Sequence, residues 1–476
     1  MEFIDTLFKI SDFIWAYVLI AVLIGVGLWF TFATKFVQFR MLPEMFRVLF
    51  EKETVKGKKE KKGTTAFQAF AISAASRVGT GNLAGVATAV ASGGPGALFW
   101  MWILALIGSA SGFIESTLAQ VFKVSGRHGF RGGPAYYIEK GLNMRWLGVV
   151  FAVVITITYG LVFNSVQANS ISLAFSGEYH INKWIIAGIL VVLTALVIFG
   201  GLKSIAHVSQ LIVPIMAILY IGIALYVLVV NITEIPTMFK LIFENAFGIR
   251  QIAGGGFGAA IMYGIKRGLF SNEAGMGSAP NAAATADVSH PAKQGLIQAL
   301  GVFFDTILVC SATGFIILTA GGYEGKKLEG IQITQNAFAH HIGSWSGLFV
   351  AIAILLFAYS SVLGNYYYGE SNISYIRESK VGMFIYRIVV LLMVMFGAVA
   401  SFDVVWDLAD FTMAIMALIN LYAIVCLSPI AIRVLKDYTK QRKAGKDPHF
   451  SKSVLDQKHR SGVTQWGDAV SENEEK

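Results

Sequence analysis

Arg77-Val-Gly-Thr-Gly-Asn82 places two glycines, a hydroxyl and a carboxamide inside a segment that is otherwise apolar enough for hydrocarbon. Each glycine weakens a helix by about 0.8–1.0 kcal/mol relative to alanine, so Gly79 and Gly81 together favour unwinding. An unwound turn frees backbone N–H and C=O groups, which is intolerable against lipid but useful around a polar ligand. Half-helix N-termini suit a carboxylate, and freed carbonyls suit a cation. The residues of Val78–Asn82 therefore fit reversible capture of an amino acid together with a small ion.

The pattern occurs twice. Phe67–Ala89 and Phe257–Ala279 align without gaps, sharing Arg77-x4-Asn82-x-Ala84-Gly85 and Arg267-x4-Asn272-x-Ala274-Gly275. Alanines recur easily in apolar sequence; an arginine and an asparagine at one offset do not. The second copy is expected to break over Arg267-Gly-Leu-Phe-Ser-Asn-Glu273. Interrupted helices at corresponding points of two halves point to the binding site of a secondary transporter.

The elements that must hold these breaks are membrane helices. The chain of 476 residues is 55% hydrophobic and 14% charged, a balance foreign to a soluble globule. Apolar stretches predict eleven spans, near 12–33, 66–92, 96–122, 146–175, 184–201, 205–230, 254–287 (broken), 292–319, 347–370, 383–400 and 405–432. Spans two and seven lie five apart, so the copies cross in opposite directions. Residues 66–231 and 254–432 then form an inverted five-plus-five repeat, preceded by 1–65, linked by the outer connection 232–253 and followed by a polar tail, 433–476, expected to be mobile. With the N-terminus outside, all Lys and Arg face the cytoplasm except Lys9, Lys183, Lys240, Arg250, Lys326, Lys327 and the intramembrane Arg77. The run Lys56–Lys62 reads as a topology signal near anionic headgroups rather than a nucleic-acid site. Segment 34–65 is expected to lie along the inner surface. The Met1 end has no basic start or small-residue cleavage site, and Cys310 and Cys426 both fall in apolar spans, against a disulfide framework.

Charges inside a membrane are costly unless paired, so Arg77, Glu115 and Asp305 are functional candidates, with Glu273 nearby. Arg77 is expected to hold Asp305 or Glu115 in a buried pair; the two acids can alternatively relay protons.

Gly93-Gly-Pro-Gly-Ala-Leu-Phe-Trp-Met-Trp102, with Gly79–Gly85 and Ser271-Asn-Glu-Ala-Gly-Met-Gly-Ser-Ala-Pro280, resembles the signatures of the alanine/glycine:cation symporter family from the first span to the last. The resemblance implies a LeuT-like fold and sodium-coupled uptake of small neutral amino acids. It assigns the backbone of Gly79, Thr80 and Gly81 to the substrate carboxylate, and the Asn82 oxygen to sodium or to the substrate amine. The carbonyls of Ala75 and Val78, with Ser360 and Ser361, become a second sodium site, hard oxygen donors suited to an alkali cation. Gly268, Ser271 and Asn272 face them across the site, and Asn164 and Gln167 serve the substrate or a polar network. Alanine-selective relatives often carry a tryptophan at the position of Asn365; this smaller polar residue can admit a longer amide side chain such as glutamine. No further cofactor is expected, and the oligomeric state is open.

Competing classes fare worse. No Gly-x4-Gly-Lys-Ser/Thr phosphate loop supports a primary pump, and no His-Glu-x2-His or similar metal spacing supports an intramembrane enzyme. A channel does not need two symmetric breaks. A sensor that binds an amino acid without moving it is separated from a transporter only by measuring accumulation.

Overall fold

The computed structural model describes residues 2–51, 63–126, 129–248, 256–322 and 328–467. Lys56–Lys62, Arg250, Lys326, Lys327 and the end of the tail from 468 lie outside them. Among the described residues the regular structure is helical apart from one short hairpin, β1 (Val124–Gly126) with β2 (Gly129–Arg131), and a single parallel bridge between Thr64 and Ala286. The first half contains α1 (Phe8–Ala33), α2 (Leu42–Leu49), α3 (Ala66–Arg77), α4 (Val86–Gly93) and α5 (Ala97–Val121). It continues with α6 (Pro134–Leu142), α7 (Arg145–Tyr179), α8 (Lys183–Ile198) and α9 (Gly201–Val230). After α10 (Ile235–Ala246), the second half contains α11 (Gly256–Asn272), α12 (Ala279–Ala283) and α13 (Pro291–Ala320). It ends with α14 (Ile331–Ile342), α15 (Ser346–Ile376), α16 (Lys380–Val399) and α17 (Phe402–Lys443).

Among the described residues, seven of these helices are long and apolar enough to cross a membrane alone: α1, α5, α7, α13, α15, α16 and α17. An eighth is reached if the second part of α9 and α10, bent by 101° from each other, count as one. The other expected spans are not single long helices: two are broken, and α8 is only 16 residues. Burial sorts the bundle. The most apolar stretches of α5 and α13 are 72% buried, those of α1 and α16 only 28%. The first pair forms the centre around the broken helices and the second faces outward.

Both broken helices start or stop for local reasons. Thr65 and Gln68 form a reciprocal capping box that opens α3, and α3 ends at Val78, whose backbone is extended. A π-helical turn over Gly81–Gly85 then leads into α4. In the second copy the helix does not yield at Arg267. It runs unbroken through Asn272 and opens only from Glu273, well past the position of its counterpart. Leu269 and Phe270 stand where the first copy has Gly79 and Thr80, and the residues that adopt left-handed backbone are Glu273, Gly275 and Gly277.

The tail also departs from expectation. Helix α17 continues to Lys443, and residues 446–467 fold back against the protein with Phe450, Leu455 and Val463 buried. Phe450 N–H donates to the Ser289 carbonyl at 3.0 Å and the Trp466 indole donates to the Gln120 carbonyl at 2.9 Å. Lys293 joins Asp447 and Glu51, so the tail and the end of α2 share one cation. The segment is polar in composition, yet its few apolar side chains are spaced to cap the ends of α5 and α13. Helix α2 likewise buries Met45, Val48 and Leu49 along the bundle. Trypsin should cut the folded wild type slowly at Lys452 and Lys458, and Phe450→Ala with Trp466→Ala should speed this cleavage on the order of tenfold. Equal cleavage rates would mean the tail is not held.

Candidate functional site

At the first break the displaced backbone N–H groups of Gly79 and Thr80 meet side-chain oxygens. Gly79 N–H donates to Asn82 Oδ1 at 2.9 Å, and Thr80 N–H donates to Gln167 Oε1 at 3.1 Å. Two carboxamide oxygens thus occupy the donors that a carboxylate would use. The Thr80 hydroxyl is buried and has no hydrogen-bond partner. Gly79 is required here by close approach: a Cβ would overlap Ser361 Oγ and lie 3.0 Å from Gln167 Oε1. At Gly81 a Cβ would come 3.0 Å from Ser271 Cα, so the two repeated segments touch through this glycine.

Asp305, in a π-helical turn of α13 (Phe304–Cys310), ties the copies together. Its Oδ1 accepts from Asn82 Nδ2 at 2.7 Å, and its Oδ2 accepts from Ser271 Oγ at 2.8 Å and Thr306 Oγ1 at 3.0 Å. Asn272 Nδ2 donates to Thr306 Oγ1 at 3.2 Å. One carboxylate therefore gathers the Asn of the first break and, directly or through Thr306, the Ser and Asn of the second. On the other side of the turn, Ser361 Oγ donates to the Ala75 carbonyl at 2.8 Å beside Gly79. Ser360 instead donates to the Phe357 carbonyl of its own helix. Val78 closes α3 at the same corner.

The expected pairing of Arg77 is corrected. It forms no ion pair with Asp305 or Glu115; its Nη1 donates to the Gln298 carbonyl at 3.2 Å, in space left by Gly301 on α13. Both acids are already filled by nearer neutral donors. Glu115 accepts from Gly275 N–H at 3.2 Å, Gly277 N–H at 3.1 Å and Asn420 Nδ2 at 2.8 Å, and so caps the second break. Asn420 also donates to the Gly275 carbonyl at 2.8 Å and accepts from the Tyr137 hydroxyl. The duplicated arginine plays a different part: Arg267 grips Asp410 through two bonds of 2.9 and 2.8 Å and lies over the Trp406 ring.

Two further candidates fall outside the cluster. Gly268 packs against Met101 and Leu104 of α5, and Asn164 donates to the Gly160 carbonyl in its own helix. Asn365 lies one step away, its Oδ1 accepting from Ser76 Oγ at 2.8 Å while its Nδ2 is buried and unpartnered. Ser76 also contacts Glu273 Oε1 at 2.7 Å, and Ser278 Oγ donates to Glu273 Oε2 at 2.7 Å. Residue types alone give no role to Ser76, Thr306 or Asn420. A lone Asn in an apolar span, as in Leu418-Ile-Asn420-Leu, is the available signal for one of them. Phe163, Phe270 and Trp406 complete the site with an aromatic wall, Phe270 lying 4.7 Å from the first ring and 4.9 Å from the second, centroid to centroid.

A family profile described as the sodium:alanine symporter family matches residues 1–452. The chain belongs to this family. Among its relatives, the amino-acid carrier protein AlsT of Bacillus subtilis is 58% identical over 94% of this chain and 95% of that one. The probable sodium/glutamine symporter GlnT of the same organism is 54% identical over 96% and 94%. The sodium/alanine symporter AgcS of Methanococcus maripaludis is 38% identical over 93% and 99%. Among solved structures, a mutant form of the Eremococcus coleocola manganese transporter superposes with a TM-score of 0.51 at 14% identity, covering 80% of this chain and 81% of that one, a likeness of fold. As a member of a symporter family with many apolar helices, the chain is a multi-pass membrane protein.

Asn82→Ala should remove the acceptor of Gly79 N–H and one donor to Asp305 together. Uptake should fall at least tenfold and stability by about 1–3 kcal/mol, the cost of leaving a buried polar group unpaired. Radiolabelled uptake and thermal unfolding in detergent test this; wild-type uptake would remove Asn82 from the site.

Proposed function

We propose that this chain is a secondary active symporter that couples inward sodium movement to uptake of a small neutral amino acid of the alanine/glycine class. The observation that carries the reading is the position of the unwound turn Val78–Thr80, between Asp305 with Ser271 on one side and Ser361 with the Ala75 carbonyl on the other. The family is described as sodium:alanine symporters, which supports reading that turn as the meeting place of an amino acid and an alkali cation. The substrate carboxylate takes the N–H groups of Gly79, Thr80 and Gly81, displacing the Asn82 and Gln167 oxygens, and the Thr80 hydroxyl assists. Asn82, once released from Gly79, turns its oxygen to sodium or to the substrate amine. The carbonyls of Ala75 and Val78, with Ser361 and then Ser360, hold a second sodium ion through hard oxygen donors.

In this reading eleven crossings form a LeuT-like inverted repeat, 66–231 and 254–432, after an extra first helix. The N-terminus is outside and the C-terminus is in the cytoplasm of a plasma-membrane protein. The Lys and Arg bias and the fold likeness support it. Alternating access follows from rocking one half against the other around the fixed site.

Glutamine is the second reading. The buried, unpartnered Nδ2 of Asn365 is a donor suited to a side-chain amide carbonyl, and GlnT is among the relatives. A site built to bond a substrate group rejects analogues that lack it. Proteoliposomes with an inward sodium gradient should accumulate labelled alanine; uptake driven by a pH gradient without sodium would overturn the coupling ion. Asn365→Trp should keep alanine uptake and lower glutamine uptake at least tenfold, and undiminished glutamine transport by this variant would sink the second reading.

A further inference from the structure

A cavity of roughly 270 Å³, lined by charged side chains, lies where the C-terminal end of α15, the start of α16 and β2 meet. Arg131, Glu370, Ser374, Glu378, Lys380 and Arg387 line it. Its charges are not disposed as a structural ion-pair network. Arg131 and Glu378 satisfy each other at 3.0 Å. Lys380 and Arg387 form no ion pair among the described residues, Arg387 spending its Nε on the Tyr366 hydroxyl at 2.9 Å. Glu370 Oε2 is screened from solvent and has no hydrogen-bond partner. The Tyr366 hydroxyl lies against the same carboxylate, which leaves Oε2 as the oxygen open to a further donor.

Groups of both signs keep unused hydrogen-bonding capacity at this cavity. Lys380 opens α16, a 20-residue helix whose N-terminus adds partial positive charge and is capped by Ser379, and Arg387 follows about two turns later on the same side. That side suits a phosphate. Glu370 suits an ammonium with N–H to give.

The surroundings are apolar and outward-facing. Along α16, Val381, Phe384, Ile385 and Ile388 are exposed, and Phe199 lies beside Phe384 with ring centroids 6.4 Å apart. The Arg387 guanidinium reaches over that same Phe199 ring. A charge-lined cavity opening onto a lane of lipid-facing side chains fits an amphiphile, headgroup inside and acyl chains along the lane.

We propose that this cavity binds a phospholipid whose headgroup joins a phosphodiester to a primary ammonium, the ethanolamine class. The phosphate is held by Lys380, Arg387 and the α16 N-terminus, and the ammonium by Glu370. Anionic glycerol headgroups lack the ammonium that Glu370 requires. Choline headgroups carry a quaternary nitrogen that has no N–H to donate.

The test is binding to the purified, detergent-solubilised full chain, read by native mass spectrometry and by thermal shift, with phosphatidylethanolamine, phosphatidylcholine and phosphatidylglycerol in parallel. The ethanolamine lipid should bind at a concentration at least tenfold below the other two. Glu370→Gln should remove the preference for ethanolamine over choline, and Arg387→Gln should weaken all three. Equal binding of the three lipids to wild type, or a preference that survives Glu370→Gln, would overturn the proposal. Soluble glycerophosphoethanolamine is the control for the source of the headgroup: binding as tight as the lipid would make this a site for a free phosphate ester and overturn the lipid assignment. If Glu370→Gln does not fold, Glu370→Asp, which shortens the reach to the ammonium, should reduce the ethanolamine preference, and a preference unchanged by it would overturn the proposal equally. These readouts are independent of sodium-driven uptake, so failure here leaves the transport reading intact.

Discussion

Backbone that leaves a helix within hydrocarbon must find polar partners, because an unpaired N–H or C=O there costs several kcal/mol with no water to take its place. In this protein that constraint is met by side chains reaching in from other helices. Asn82 and Gln167 accept from the first break, Glu115 and Asn420 serve the second, and Asp305 binds the two together. Apart from Asn82, these partners come from α7, α5, α17 and α13, so the bundle is arranged around its two interruptions. Each partner of an N–H at the first break is a neutral amide oxygen, the kind of group a carboxylate ligand can displace without leaving a charge behind. At the second break Ala274 N–H likewise meets a neutral amide oxygen, that of Asn272, but the N–H groups of Gly275 and Gly277 go to the Glu115 carboxylate, harder to displace and better suited to permanent support.

The two repeats have diverged along this line. The same Arg-x4-Asn frame gives an arginine against a backbone carbonyl in the first copy and an arginine locked on Asp410 in the second. Asn82 lies in the first turn after the break, while Asn272 is the last helical residue before it. Phe270, placed where Thr80 stands in the other copy, contributes bulk between Phe163 and Trp406 instead of a hydroxyl. One copy therefore offers small residues and unspent polar atoms. The other offers a wall.

Much of this can be read from residue types, and the parts that cannot have physical reasons. Glycines at 79 and 81 beside Asn82 mark the first break because composition alone destabilises the helix there. The second break cannot be placed from Gly268, since one glycine between strong helix formers is tolerated. What decides it is the left-handed backbone of Glu273, Gly275 and Gly277, held by Glu115 from a helix some 160 residues earlier in the chain. The partner of Arg77 is hidden for a similar reason. Spacing shows that a buried cation needs compensation, but not whether the acids near it have been claimed by other donors. The tail escapes a reading by composition because its charge content matches mobile sequence. Its docked side chains, Phe450, Leu455, Val463 and Trp466, are too few to shift that average.

Three buried carboxylates beside the breaks, Glu115, Asp305 and Glu273, illustrate how donor type separates roles that charge alone cannot. Glu115 receives only N–H groups, from two glycines and an asparagine, and N–H groups cannot accept in return. Adding a proton to Glu115 would set donor against donor, so its environment fits a fixed anion. Asp305 is intermediate, with one amide donor and two hydroxyls. Glu273 meets hydroxyls alone, those of Ser76 and Ser278, and a hydroxyl serves equally well as donor or acceptor. Ser76 has a single hydrogen to place between Glu273 and Asn365 Oδ1. The direction of that bond therefore fixes whether Asn365 is approached by a donor or by a lone pair, and it links the second break to the residue that separates the alanine and glutamine readings.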